Sequence, residues 1–153
     1  MSNERDFDFL FGSWSVRHRR LRSRGADCAD WDEFAGTAET RPLLDGTCNI
    51  EEHIIGRSDV SGIALRAFDH STRLWSIYWA SERSGRLEEP VVGSFSGNVG
   101  SFFGEDIDEG RGVQVKFLWD RSGPGAPIWE QSFSYDQGAT WELNWRMEFA
   151  RRA

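Results

Sequence analysis

The chain is poor in the features that mark several large classes of protein. It has 2 cysteines and 4 prolines in 153 residues. Two cysteines cannot staple a disulfide scaffold, and Cys28 and Cys48 lack the Cys-x-x-Cys spacing of a metal or redox site. They are expected to be reduced thiols, with a disulfide between them as the lesser alternative. No apolar run approaches the ~18–20 residues of a membrane helix. The opening Met-Ser-Asn-Glu-Arg-Asp has no apolar core behind a basic start, so a secretory signal is not expected and the expected compartment is the cytoplasm. Positive charge is also short: 18 Lys and Arg stand against 25 Asp and Glu, a net charge of −7. That balance speaks against nucleic-acid binding, where phosphate neutralisation supplies much of the affinity. There is no Gly-rich phosphate loop, no Gly-x-Ser-x-Gly elbow and no His-Glu-x-x-His. The acidic stretch around Glu105, Asp106, Asp108 and Glu109 has its glycine at the wrong offset for an EF-hand, and it reads as a charged turn.

What is present is aromatic surface and glycine. Eight Trp, eleven Phe and sixteen Gly suit many short elements joined by tight turns. The length suits one domain over residues 1–153 with a sizeable core. The clearest pattern is the last one. Trp141, Leu143, Trp145, Met147 and Phe149 alternate with Glu142, Asn144, Arg146 and Glu148, the period of a half-buried strand. Pro127 to Tyr135 precedes it as a partner strand. Asp136 to Thr140 form the turn, with Gly138 able to take a positive φ.

Earlier segments repeat the pattern. Phe7, Leu10 and Phe11 have helical spacing, so a short N-terminal helix ending at Gly12 is expected to plug one end of the fold. Strands follow at Trp14–Arg19, Asp32–Arg41, Thr47–Gly56, Gly62–Asp69, Leu74–Ala80, Val91–Phe95, Ser101–Asp106 and Gly112–Asp120. Pro42–Gly46 and Asp69–Thr72 carry turn chemistry. With the terminal hairpin this makes about ten strands and no connection long enough for a crossover helix. The expected fold is all-β: a closed antiparallel up-and-down barrel whose first and last strands pair to remove the free edges. About eight strands are just filled by side chains, so about ten should leave an internal cavity unless the aromatics fill it.

A family resemblance supports the same fold. The opening Phe7-Asp8-Phe9-x-x-Gly12-x-Trp14-x-Val16 resembles that of a family of uncharacterised bacterial proteins. So does the closing Trp129-Glu130-Gln131-x-Phe133-Ser134-x-Asp136-x-Gly138-x-Thr140-Trp141-Glu142-x-Asn144-Trp145. Leu44-Asp45-Gly46-x-Cys48-x-Ile50-x-Glu52, and Phe68-Asp69 followed by Trp75, are similar too. The resemblance implies a lipocalin-like, calycin-type barrel with a small-molecule cavity. It implies no reaction, and fold alone supplies none.

Candidate ligand-binding residues are Trp14, Glu52, Trp75, Trp79, Trp119, Gln131 and Trp145, with Trp141 a further possible lining residue. Large rigid aromatics with one polar handle suit a pocket for flat or apolar molecules, although for any single Trp the core is the first expectation. Glu52 shares a strand face with Cys48, Ile50 and Ile54. Facing inward it would be a desolvated carboxylate, able to bind a ligand or act as a general base. The alternatives are an ion pair with an Arg, or a register in which Glu52 meets water, because Ile55 offers a competing face. Gln131 shares a face with Trp129, Phe133 and Tyr135. It is expected either to orient a ligand or to make a structural hydrogen bond. His18, His53 and His70 have no metal-ligand spacing, and Arg17 to Arg24 read as a solvated basic strand end.

The leading expectation is a binding barrel that holds a small hydrophobic molecule and needs no cofactor. The alternatives are an enzyme of isomerase or cyclase type using Glu52, and a haem-binding barrel using His53. An interaction protein pairing with a second copy through a barrel edge or aromatic surface is a third possibility.

Overall fold

The computed structural model describes residues 3–152; Met1, Ser2 and Ala153 lie outside them. Ten strands form one antiparallel sheet that closes on itself: β1 (Gly12–Leu21), β2 (Trp31–Leu43), β3 (Cys48–Ile54), β4 (Gly62–Asp69), β5 (Leu74–Ser81), β6 (Val91–Ser96), β7 (Val99–Asp108), β8 (Arg111–Asp120), β9 (Ile128–Ser134) and β10 (Glu142–Arg151). Neighbours in sequence are neighbours in the sheet, and β1 pairs with β10 to complete the barrel. Closure leaves neither terminal strand as a free edge. No helix among the described residues is long and apolar enough to cross a membrane.

The expected N-terminal helix is only a single 3₁₀ turn over Asp8–Leu10. It still closes one end of the barrel. Phe7 and Leu10 are fully buried, and the Phe7 ring packs edge-on against Trp75, Phe95 and Trp119. Phe102 and Phe68 complete this packed end. The segment needs only Phe7 and Leu10 to point down the axis, and one tight turn does that.

Alternation sets the inside and outside of most strands as expected. Trp14, Val16 and His18 of β1 are buried while Ser15, Arg17 and Arg19 are not. Val113, Val115 and Trp119 line the interior from β8. Two strands depart from expectation. In β3 the period is right and the phase is reversed: Asn49, Glu51 and His53 are buried, whereas Glu52 and Ile54 are exposed. Cross-strand pairing explains this. Ala38 and Thr40 of β2 stand opposite His53 and Glu51, and Ala64 and Arg66 of β4 stand opposite Glu51 and Asn49. Small inward neighbours leave room for the polar face of β3, and Arg66 supplies a counter-charge. A one-residue change of phase moves every side chain to the other surface.

In β10 a register shift between Leu143 and Trp145 inserts Asn144 as an extra residue, a β-bulge. Asn144 and Trp145 are therefore both buried. Trp141 and Leu143 fall out of line with Trp145, Met147 and Phe149, and the Trp141 ring lies outside against Phe103 and Lys116.

The seam between β5 and β6 is the thinnest, with only Trp75, Ser76 and Ile77 paired to Gly93, Val92 and Val91. Beyond it Tyr78–Ser81 has no strand partner on that side, and the loop 82–90 crosses instead, held by a Glu88 N–H donated to the Trp79 carbonyl at 2.8 Å. Gly93 permits the close approach of β6 to β7, because a Cβ there would lie 1.9 Å from the Ser101 carbonyl oxygen. Gly93→Ala must therefore shift backbone. It is expected to lower stability by roughly 1–3 kcal/mol, as overpacking does, measured by chemical denaturation.

Candidate functional site

The aromatic plug fills one half of the barrel and leaves a cavity of about 80 Å³ in the other. The cavity is lined by Trp79, Trp119, Trp129, Trp145 and Phe117, by Ile77, Val91, Val115 and Met147, and by the polar His53, Arg66 and Gln131. It communicates with a solvent-open vestibule of about 1260 Å³, for Trp79, Glu88, Glu89, Glu105, Asp106, Gln131 and Trp145 border both. Ten strands do leave internal space, but the tryptophans take most of it.

The floor of the cavity is a buried charged cluster. Glu51 Oε1 accepts hydrogen bonds from Arg66 Nη2 at 2.6 Å and from His53 Nε2 at 2.9 Å. Glu51 Oε2 accepts one from the Thr40 hydroxyl at 2.7 Å. Arg66 Nη1 donates to Asn49 Oδ1 at 2.8 Å. The guanidinium also lies over the Phe7 and Trp119 rings, 5.0 and 5.4 Å from their centres. Burial alone would push the Glu51 carboxyl up; the Arg66 and His53 charges and the His53 and Thr40 hydrogen bonds outweigh it and hold Glu51 well below the usual carboxylate range. Glu51 is therefore an anion that only accepts, and His53 Nε2 must carry the proton between them.

Three cavity-lining residues each have one buried nitrogen without a hydrogen-bond partner: His53 Nδ1, Arg66 Nε and Trp119 Nε1. An unsatisfied buried polar group costs about 1–3 kcal/mol. The cavity exceeds the ~10–15 Å³ that one water needs. The unmet hydrogen bonds thus belong to residues that line the space. His18 stands beside this cluster, its ring 6.3 Å from that of His53 and stacked on Phe34 at 4.7 Å. Its Nδ1 accepts from Trp145 Nε1 at 3.1 Å, which fixes the indole against the cavity wall. Burial, then the His53, Arg20 and Arg57 charges, lowers the His18 pKa to about 3, so the ring is neutral.

The vestibule is acidic. Its lining holds Asp59, Glu88, Glu89, Glu105, Asp106 and Asp108 against Arg20, Arg24 and Arg86, six acids to three bases. Burial, then the Asp106 carboxylate, pushes the Glu88 carboxyl up, with Arg86 opposing. Arg20 and Arg24, expected to be a solvated basic end, instead edge this mouth. Arg20 lies over the Trp145 ring at 5.0 Å and pairs with Asp59 at 3.6 Å, and Arg24 pairs with Asp108 at 3.5 Å.

Of the residues expected from sequence, Trp79, Trp119, Gln131 and Trp145 meet at the cavity. Gln131 lines it but donates its amide to Asn144 Oδ1 at 2.8 Å, so it also anchors the bulge of β10. Glu52 is exposed on the outer surface and is not placed to act as a base in the interior. Trp14 and Trp75 are packed core rather than lining. Trp14 donates Nε1 to the Leu10 carbonyl at 2.7 Å, and Trp75 is walled in by Phe7 and Phe68. The haem alternative lacks room, because 80 Å³ is far below the ~300–1,000 Å³ of ordinary ligand pockets. Among the described residues no group of three or more His, Cys, Asp and Glu is placed to hold a metal ion. Sequence reasoning missed Glu51 and Arg66. The available signal was Arg66 itself, a lone charge between Ala64 and Phe68 in an otherwise apolar strand.

No family model and no curated protein matches the chain. Function is therefore argued from the site alone.

Two outcomes follow from the cluster. Glu51→Ala leaves Arg66 buried without its counter-charge and is expected to lower stability by roughly 3–5 kcal/mol, whereas Glu52→Ala should stay within about 0.5 kcal/mol, both read from denaturant midpoints. Because the folded pKa of His18 lies near 3, below its unfolded value, the unfolded chain binds the proton first and stability falls as pH drops below the unfolded value. Between about pH 6.5 and 5.5, above the range in which the Glu51 carboxyl titrates in the unfolded chain, His18→Gln is expected to flatten that slope by up to ~1.4 kcal/mol per pH unit, measured by thermal melts across pH.

Proposed function

We propose that the protein is a small-molecule-binding barrel of lipocalin-like type whose ligand is neutral, largely apolar and carries one oxygen acceptor. The observation that carries this reading is the coincidence of an aromatic-walled cavity with three unpartnered buried nitrogens on its lining residues. Four indoles offer flat apolar walls. Arg66 Nε and Trp119 Nε1 can only donate, so the ligand atom that meets them must accept: a carbonyl, ether or hydroxyl oxygen.

Charge supports a neutral ligand. Glu51 already neutralises Arg66, and the acidic vestibule repels an incoming anion. Size limits the enclosed portion to a few non-hydrogen atoms or one small ring, with any longer substituent lying in the vestibule.

Tryptophan fluorescence reads the cavity directly, because four of the eight indoles line it. Acetophenone should quench this emission and bind more tightly than benzoate, and added salt should narrow the gap. Ala64→Leu, which fills the cavity, should abolish the response while keeping or raising the melting temperature. Equal titrations for wild type and Ala64→Leu, or tighter binding of benzoate, contradict the reading. Mass spectrometry of extracts from natively purified protein then identifies the natural occupant.

A further inference from the structure

The geometry points to a proton-transfer site at the cavity floor, with His53 Nδ1 as the general base acting on a carbon next to a carbonyl, and with Arg66 Nε and Trp119 Nε1 as donors to the carbonyl oxygen. This inference rests on the binding reading above and deepens it, since it assigns a reaction to the same cavity.

Three features carry it. First, His53 is oriented as a base. Its Nε2–H is committed to the Glu51 carboxylate at 2.9 Å, which fixes the ring and leaves Nδ1 as the nitrogen with no partner, buried on a residue that lines the cavity. A carboxylate behind an imidazole stabilises the imidazolium formed when the far nitrogen takes a proton. Second, the two other unpartnered nitrogens of the lining are both N–H donors, and they sit on the Arg66 and Trp119 side chains, whose guanidinium and indole centres are 5.4 Å apart. Developing negative charge on an oxygen is what such preorganised donors stabilise. Third, the walls around these three nitrogens are largely aromatic and aliphatic, and a low-dielectric surrounding strengthens such interactions. Glu51 does not line the cavity and acts through His53, so it is a positioning residue.

The step balances without oxidant or cofactor. The C–H bond next to the carbonyl breaks, and its proton goes to His53 Nδ1. The electron pair forms the enolate C=C bond, and the carbonyl oxygen becomes an oxyanion that accepts from Arg66 and Trp119. Return of the proton to the same carbon exchanges it; return to another carbon or to the oxygen isomerises the substrate. The substrate class is therefore a small, neutral, enolisable ketone or aldehyde with an apolar body.

The test uses acetophenone and cyclohexanone in D₂O, with loss of the α-proton signal followed by NMR and binding followed by tryptophan fluorescence on the same samples. Wild type is expected to accelerate exchange of a bound probe. His53→Gln retains an amide donor for Glu51, and it should lower the rate by roughly 10²-fold with little change in affinity. Trp119→Phe keeps the ring and removes the N–H. It should slow exchange by roughly 10²-fold and weaken binding of acetophenone but not of ethylbenzene, which gives an independent readout should His53→Gln fail to fold. Probes that bind but exchange at the same rate in wild type, His53→Gln and Trp119→Phe overturn the proton-transfer site and leave the binding reading standing. Probes that do not bind at all overturn both.

Discussion

The ion pair between Glu51 and Arg66 is the constraint on which the interior depends. Two side chains of opposite charge, both about 1% exposed, face each other from adjacent strands at 2.6 Å. Taking an ion pair out of water is costly unless nearly every lone pair and proton finds a partner. Here Glu51 meets three donors and Arg66 meets Glu51 and Asn49 besides two aromatic faces. The pair fixes which face of β3 looks inward, ties β2, β3 and β4 together across the sheet, and sets His53 in one orientation. It leaves His53 Nδ1 and Arg66 Nε without partners.

The barrel divides its aromatic residues between two tasks. Around the Phe7 turn, rings meet edge-to-face at centre separations near 5 Å and pack the closed end solid. At the other end the walls are also tryptophan, but the floor is polar, the β5–β6 seam is short, and a loop rather than a strand completes the wall. The fold thus places rigidity beneath the site and access above it. The vestibule above carries six acids against three bases, and Trp79 and Trp145 border it as well as the cavity.

The barrel was legible in the sequence because alternation reports a two-residue period independently of phase. About ten strands and their antiparallel order follow from spacing and turn residues, and closure of first on last follows from the need to remove two free edges. Phase is a different matter. Cys48, Ile50 and Ile54 form the more apolar face of β3, and hydrophobicity alone turns that face inward. The opposite occurs because Arg66, on the next strand, makes a buried carboxylate tolerable, and that pairing is non-local. The bulge at Asn144 was hidden for the same reason: β10 alternates without a flaw in sequence, and only its register against Gln131 reveals the extra residue. Among the tryptophans, Trp79, Trp119 and Trp145 could not be told from Trp14 and Trp75 by residue type, since height along the barrel axis, which is set by non-local packing, decides which border the cavity. β3 does place a carboxylate in the interior, but it is Glu51, paired with Arg66, and Glu52 meets water.

The most direct test of a polar-floored cavity that receives a neutral carbonyl is a crystal structure of the protein with acetophenone bound. The account predicts the ring between the indoles of Trp79, Trp119, Trp129 and Trp145, with the ketone oxygen in hydrogen-bond distance of Arg66 Nε and Trp119 Nε1. Density for the molecule only in the vestibule, or an interior in which the floor nitrogens are capped by protein groups, would contradict it.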